Sequence, residues 1–180
     1  MLFRSGAALP PPPLTVISAW LCRPRANPTC GSPKLTHPAA HTVPLPSRDA
    51  EFVIPVRVYY QDTDLAGVVY HSVYLDYLER ARSDWLRALG YGHHALVRQF
   101  GLLFPVRSLS VEYRKPATMD DLLSVSVRPA ETTPVSLSFV QQIRRADELL
   151  LRAQVKVAPV DAKSFRLSRI PQALQELFFR

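Results

Sequence analysis

Beyond residue 101 this chain repeats one pattern, and that pattern restricts the fold more than any other feature. "LLFPVRSLSVEYR" (102–114), "LLSVSVRP" (122–129), "PVSLSFVQQIRR" (134–145) and "LLLRAQVKVAPV" (149–160) each alternate apolar and polar residues, wholly or in part. Such a period puts every second side chain on one face of a strand. The connections are short: "PATMDD" (116–121) and "ADE" (146–148) read as turns. Parallel neighbours need a crossover of a dozen or more residues, so these strands are predicted to be antiparallel. Their apolar face needs a cover, and the sequence offers one. Val73, Tyr77, Leu78, Ala81, Trp85 and Leu89 form a stripe at helical spacing, and Gly90 and Gly92 stop it. "FVIPVRVYY" (52–60) reads as a further strand, with Phe52, Ile54, Val56, Val58 and Tyr60 able to share a face. "HHALVRQFG" (93–101) reads as a short second helix, and residues 168–180 end in a helix starting at Pro171. The predicted class is α+β: one long helix wrapped by a five-stranded antiparallel sheet.

The first 48 residues differ from the rest. Ten of the chain's 17 prolines and both cysteines, Cys22 and Cys30, lie in the first fifty positions. We read residues 1–48 as a Pro-rich disordered extension, or as upstream sequence translated from a misassigned start, and residues 49–180 as the folded domain. The opening "MLFRSGAALPPPPLTVISAWLC" makes a poor export signal, because four consecutive prolines break its apolar segment. No stretch approaches the ~18 apolar residues that span a bilayer. Residues 51–180 lack cysteine, which suits a reducing cytoplasm. The net charge is +7, but four of those units come from the first fifty residues. The remainder argues weakly for nucleic acid and suits a phosphate-bearing small ligand equally well.

The chemistry concentrates in "YYQDTDLAGVVYHSVYL" (59–75), where two aspartates, a glycine and a histidine separate the first strand from the helix. Asp62 and Asp64 can each bond nearby turn amides, and Gly67 permits a positive φ. The amides of residues 67–72 precede or begin a helix, where N–H groups lack intrahelical partners and the helix dipole is positive. A carboxylate in such a loop can reach a cleft without entering the core. By themselves these residues read by default as turn and cap positions, because Asx-turns are so common.

The stretch "VRVYYQDTDLAGVVYHSVYLDYLERARSDWL" (56–86), continued by "VEYRKPATMDDLLSV" (111–125) and "VAPVDAKSFRLSRIP" (157–171), resembles the hotdog-fold acyl-CoA thioesterases. It is nearest their YbgC-type, Tol–Pal-associated branch and is related to the 4-hydroxybenzoyl-CoA thioesterases. The D-x-D-x-x-G-V-V-Y-H spacing ahead of "YLERAR" carries the resemblance, which spans roughly residues 52–171. It implies a hotdog fold that assembles as a homodimer or homotetramer, with the active site at the subunit interface near the start of the long helix. It implies hydrolysis of an acyl- or aroyl-CoA thioester to free acid and CoA, with no cofactor or metal beyond the CoA of the substrate. Asp64 becomes the catalytic carboxylate, as general base or nucleophile, and His71 its assistant. Gly67, Val68, Tyr70, Val73 and Lys115 become the substrate-binding positions. Arg114, Arg144 and Arg145 join Lys115 as candidates to face the CoA phosphates. Val73 stands where the family often has Asn or Ser, which removes a hydrogen bond near the carbonyl. Glu79 ranks far below Asp64, since an i,i+3 or i,i+4 ion pair with Arg82 or its neighbourhood accounts for it. Acyl carrier protein and envelope-associated proteins are further partners the resemblance suggests. Nucleic acid and a membrane span are not expected. The competing reading is a hotdog module that binds acyl groups, or joins an envelope complex, without turnover.

Overall fold

The computed structural model describes residues 51–178. The predicted extension, its two cysteines and the signal-peptide question lie outside them. Strand β1 (Phe52–Arg57) leads through a short 3-10 turn (Tyr60–Asp62) to helix α1 (Val73–Ala88) and helix α2 (His93–Phe100). Strands β2 (Leu102–Leu103), β3 (Val106–Tyr113), β4 (Leu122–Thr133), β5 (Ser136–Arg145), β6 (Glu148–Val157) and β7 (Val160–Asp161) follow, and α3 (Gln172–Phe178) closes the described chain. Five strands form one sheet in the order β1-β4-β5-β6-β3, every pair antiparallel; β2 and β7 make a separate two-stranded ribbon.

The three central strands carry the core because their alternation is cleanest. Leu123, Val125 and Val127 on β4, Phe139 and Ile143 on β5, and Leu151, Ala153 and Val155 on β6 are buried on one face. Helix α1 lies against that face with Tyr74, Tyr77, Leu78, Ala81, Trp85 and Leu86 buried. Trp85 meets Phe139 edge-on, with ring centroids 5.3 Å apart, and also touches Phe178 of α3. An aromatic pair of that geometry adds about 0.5–1.5 kcal/mol beyond area burial. Gly90 stops α1 at φ +90°: its amide donates to the Arg87 carbonyl and the Tyr91 amide to that of Leu86. These two bonds satisfy carbonyls the last helical turn leaves open, and the positive φ favours glycine.

The first strand is shorter than the stretch 52–60 suggests: it ends at Arg57, and Tyr60 opens the 3-10 turn, exposed, instead of sharing the strand's face. In the partly alternating stretch 102–114 the apolar residues Val106, Leu109 and Tyr113 are exposed. The reason is topological: among the described residues β3 is an edge strand bonded only to β6, with β4, the next strand in the chain, three places away in the sheet. An unpaired edge of eight residues is a template for further strand pairing. No helix among the described residues is long and apolar enough to cross a membrane.

Candidate active site

The loop between β1 and α1 is a small hairpin rather than an irregular excursion. Thr63 and Val69 face each other as an antiparallel bridge, and Val68 bridges Thr118. The Asp64 amide donates to the Val68 carbonyl and the Gly67 amide to the Asp64 carbonyl, each at 2.9 Å. Gly67 takes φ +76°, the left-handed geometry such a tight return requires. Asp62, buried, accepts from the Tyr59 amide at 2.8 Å and so fixes the entry to the loop, as a turn aspartate should.

Asp64 is exposed at the tip, beside a fully exposed Leu65. Its Oδ1 accepts from the Ala66 amide at 2.8 Å, which orients the carboxylate and leaves Oδ2 without a protein donor among the described residues. The amides of Gly67, Val69 and Tyr70 are all used internally, to the carbonyls of Asp64, Ala117 and Asp62. Those of Val68, His71 and Ser72 have no partner among the described residues. The donors predicted for residues 67–72 thus reduce to three, and Gly67 contributes conformation instead of an N–H. Ser72 precedes α1 without a side-chain cap, so the helix start keeps unsatisfied amides.

His71 is exposed and its ring lies 4.3 Å from that of Tyr70, which is itself half-exposed. With Val69, Tyr74, Tyr113, Arg114, Lys115 and Pro116, His71 lines an open cleft of about 290 Å³. Asp64 is not among those residues, and within one copy it lines none of the described cavities. The loop therefore holds both residues, but one chain does not converge them on a common cleft. The Tyr113 hydroxyl donates to the His71 carbonyl at 2.9 Å, tying the edge strand β3 to the segment before α1. Tyr74 is buried, and its hydroxyl accepts from the Ala117 amide at 2.8 Å; burial pushes its pKa up. Val73 begins α1 and is partly buried against the core.

The basic residues predicted for a phosphate are mostly paired. Lys115 donates to Glu148, Arg114 pairs with Glu112, and Arg145 holds both Asp121 and Glu148. The Lys115 hydrogen bond, then that of Arg145, keeps the Glu148 carboxyl below the usual glutamate range. Arg144 binds the Gln142 side chain and the Asp147 carbonyl instead of a carboxylate. Lys115 lines the His71 cleft, but a ligand anion there would compete with Glu148.

Sequence reasoning missed a second polar cluster on α1. Glu79 makes no ion pair with Arg82; it accepts from the buried Ser83 hydroxyl at 2.5 Å, and Ser83 also bonds His93 Nε2 at 2.8 Å. The i,i+4 spacing of Glu79 and Ser83 was visible, but the approach of α2 was not. Among the described residues no group of three or more His, Cys, Asp and Glu side chains is placed to hold a metal ion.

Comparison with known proteins identifies the family. The family model for the thioesterase-like superfamily matches residues 58–178. The chain is 39% identical over 130 residues to the acyl-CoA thioesterase YbgC of Haemophilus influenzae, covering 72% of this chain and 96% of that one. It is 40% identical over 121 residues to the acyl-CoA thioester hydrolase YbgC of Escherichia coli O157:H7, covering 67% and 90%. Among solved structures, the probable thioesterase from Bartonella henselae superposes with a TM-score of 0.65 at 32% identity, covering 68% of this chain and all of that one.

Proposed function

This chain belongs to the thioesterase-like superfamily, in its YbgC branch, and we propose that it cleaves acyl-CoA thioesters with Asp64 as the catalytic carboxylate. It is an acyl-CoA thioesterase of hotdog fold. The likeness to YbgC enzymes over nearly their whole length carries the activity. The role of Asp64 rests on its place in a hydrogen-bonded hairpin that returns directly to the unsatisfied amides before α1.

In the proposed reaction Asp64 takes a proton from water as the oxygen attacks the thioester carbonyl. Negative charge builds on the carbonyl oxygen, and the free amides of Val68, His71 and Ser72 are the donors available to meet it. The His71 side chain orients the water or adds a further donor. The C–S bond breaks, the acyl group leaves as the free acid, and the thiolate departs with little need of protonation because its pKa is near ~8.5. Water, a carboxylate and amides suffice, and no cofactor is called for. If Asp64 attacks directly, an enzyme-bound anhydride forms and water opens it. In oxygen-18 water, label found in Asp64 after a single turnover identifies the second route, with water opening the anhydride at the Asp64 carbonyl.

We propose further that a second copy completes the site. The unpaired β3 edge, its exposed Val106, Leu109 and Tyr113, and the Tyr113–His71 link would bring a partner's residues beside His71. Exposed Leu65 and Tyr60 on the Asp64 loop also await cover. Gly67 and Val68 then shape the carbonyl site, Tyr70 and Val73 face the acyl group, and Lys115 exchanges Glu148 for a CoA phosphate. The reading places the enzyme in the cytoplasm, where CoA thioesters are made.

The deciding experiment measures CoA release from short-chain, long-chain and aroyl-CoA thioesters by wild type and Asp64→Asn. Loss of a general base costs about 10²–10⁴-fold in rate. A fall of at least ~10² with an unchanged melting temperature supports the reading. Retention of activity within tenfold refutes the role of Asp64, and acyl-CoA binding by wild type without turnover supports the non-catalytic module instead.

A further inference from the structure

We infer that the cavity between the C-terminal half of α1, strand β5 and α3 is a second ligand site, built for an amphipathic monocarboxylate that Arg82 grips. The cavity measures about 280 Å³. An apolar cavity of ~150 Å³ already holds benzene, so there is room for a medium-length alkyl chain. Trp85, Leu86, Phe104, Leu137, Phe139 and Phe178 make its apolar wall, while the Glu79–Ser83–His93 cluster lines its polar side. Into this surface comes one guanidinium.

Arg82 is half-buried on α1, and burial pulls its pKa down. Its hydrogen bond among the described residues goes to the side-chain oxygen of Gln141, at 2.7 Å. Gln141 is fully buried in β5 and donates to the Leu78 carbonyl at 3.0 Å, so the arginine is held by an immobile, neutral amide. No carboxylate among the described residues lies within ion-pair distance of Arg82; the Glu79 carboxylate one turn away offsets only part of the effect of burial. A desolvated guanidinium is costly unless a counter-charge reaches it, and its planar fork of donors matches a carboxylate in two-point contact. Glu79 also lines the cavity, with its carboxylate engaged by Ser83. A second negative charge on the ligand would meet it, which selects a monoanion over a phosphate dianion.

This is not the site around Asp64. Neither Asp64 nor His71 lines the cavity, and Arg82 stands ten residues beyond Ser72, about 15 Å along the helix axis. The assignment of a free acid rests on the proposed hydrolysis only in that such an acid is its product; the cavity's chemistry stands apart from it.

The test uses the full chain carrying Asp64→Asn, so that binding is read without turnover, and titrates octanoate, 1-octanol, octyl phosphate and octylamine by calorimetry. Octanoate is expected to bind one per chain at least tenfold more tightly than the other three. Arg82→Gln is expected to abolish that preference while octanol still binds. Equal binding of octanoate and octanol overturns the inference, as does octylamine matching octanoate or an undiminished preference in Arg82→Gln. Should Arg82→Gln fail to fold, the four-ligand comparison on the Asp64→Asn chain decides alone. Octanoate binding through Arg82, together with a wild-type chain that hydrolyses no acyl-CoA, would uphold this site and overturn the catalytic reading; the reverse pattern would do the opposite.

Discussion

Tyr74 and Tyr77 are one helical turn apart, both buried, and the structure predicts opposite responses to the same change. The Tyr74 hydroxyl accepts the amide hydrogen of Ala117, a residue with no exposed surface, at 2.8 Å. Phenylalanine at 74 leaves that amide without a partner in a site water cannot reach. A buried, unsatisfied donor costs about 1–3 kcal/mol. The Tyr77 hydroxyl is also buried but has no hydrogen bond of acceptable geometry among the described residues. Burial first, and then the nearby Asp62 carboxylate, push its pKa far above the ordinary phenol range. Removing that oxygen deletes an uncompensated polar group, so Tyr77→Phe should be neutral or stabilising by up to ~1 kcal/mol. The two variants should therefore differ by about 1–4 kcal/mol; a difference of ~2 kcal/mol is roughly 8 °C in melting temperature for a domain of this size. Urea unfolding at one fixed protein concentration checks this, with equal slopes required so that midpoints report stability. A loss above ~1 kcal/mol in Tyr77→Phe would refute the reasoning, because it would mean that the hydroxyl donates to Asp62 after all. Ala117 also accepts from Val69, so Tyr74→Phe should in addition loosen the Asp64 hairpin and lower turnover.

Gly67→Ala should cost about 1–2 kcal/mol from backbone strain alone, since φ is +76° but an added Cβ meets nothing within 4 Å; thermal unfolding reads it. Glu148 has a folded pKa below its free value, so its contribution to stability is present above the ordinary glutamate range and is lost as pH falls through the lower folded value. Glu148→Gln should accordingly flatten the decline of melting temperature below about pH 4, and an unaltered acid limb would count against the Lys115–Glu148–Arg145 cluster as its source. A chain beginning at Asp49 should fold and hydrolyse acyl-CoA as the full chain does, and should lose any nucleic-acid binding the full chain displays; circular dichroism, turnover and a filter-binding assay read these three.

Much of this architecture could be read directly from residue order. The alternation in residues 122–129 and 134–145 specifies strands because a pleated backbone presents every second side chain to one face, and the stripe from Val73 to Leu89 specifies a helix by the same kind of geometry. Asp62 as a turn residue and Gly67 at positive φ followed from local chemistry. What alternation cannot express is position within a sheet. β3 has the same apolar rhythm as β4, yet it is carried to the far edge and exposes the side chains that β4 buries, because burial depends on which strands lie alongside. The polar partnerships are of the same kind. Arg82 and Gln141 stand 59 positions apart, and Tyr113 and His71 stand 42 apart. Ser83 meets His93 only because a glycine-capped turn folds α2 back on α1. Local periods determine which elements form, since they act over a few residues. Contacts between elements determine which charges are paired, which amides stay free and which cavities exist, since those depend on loop closure and packing that no short stretch contains.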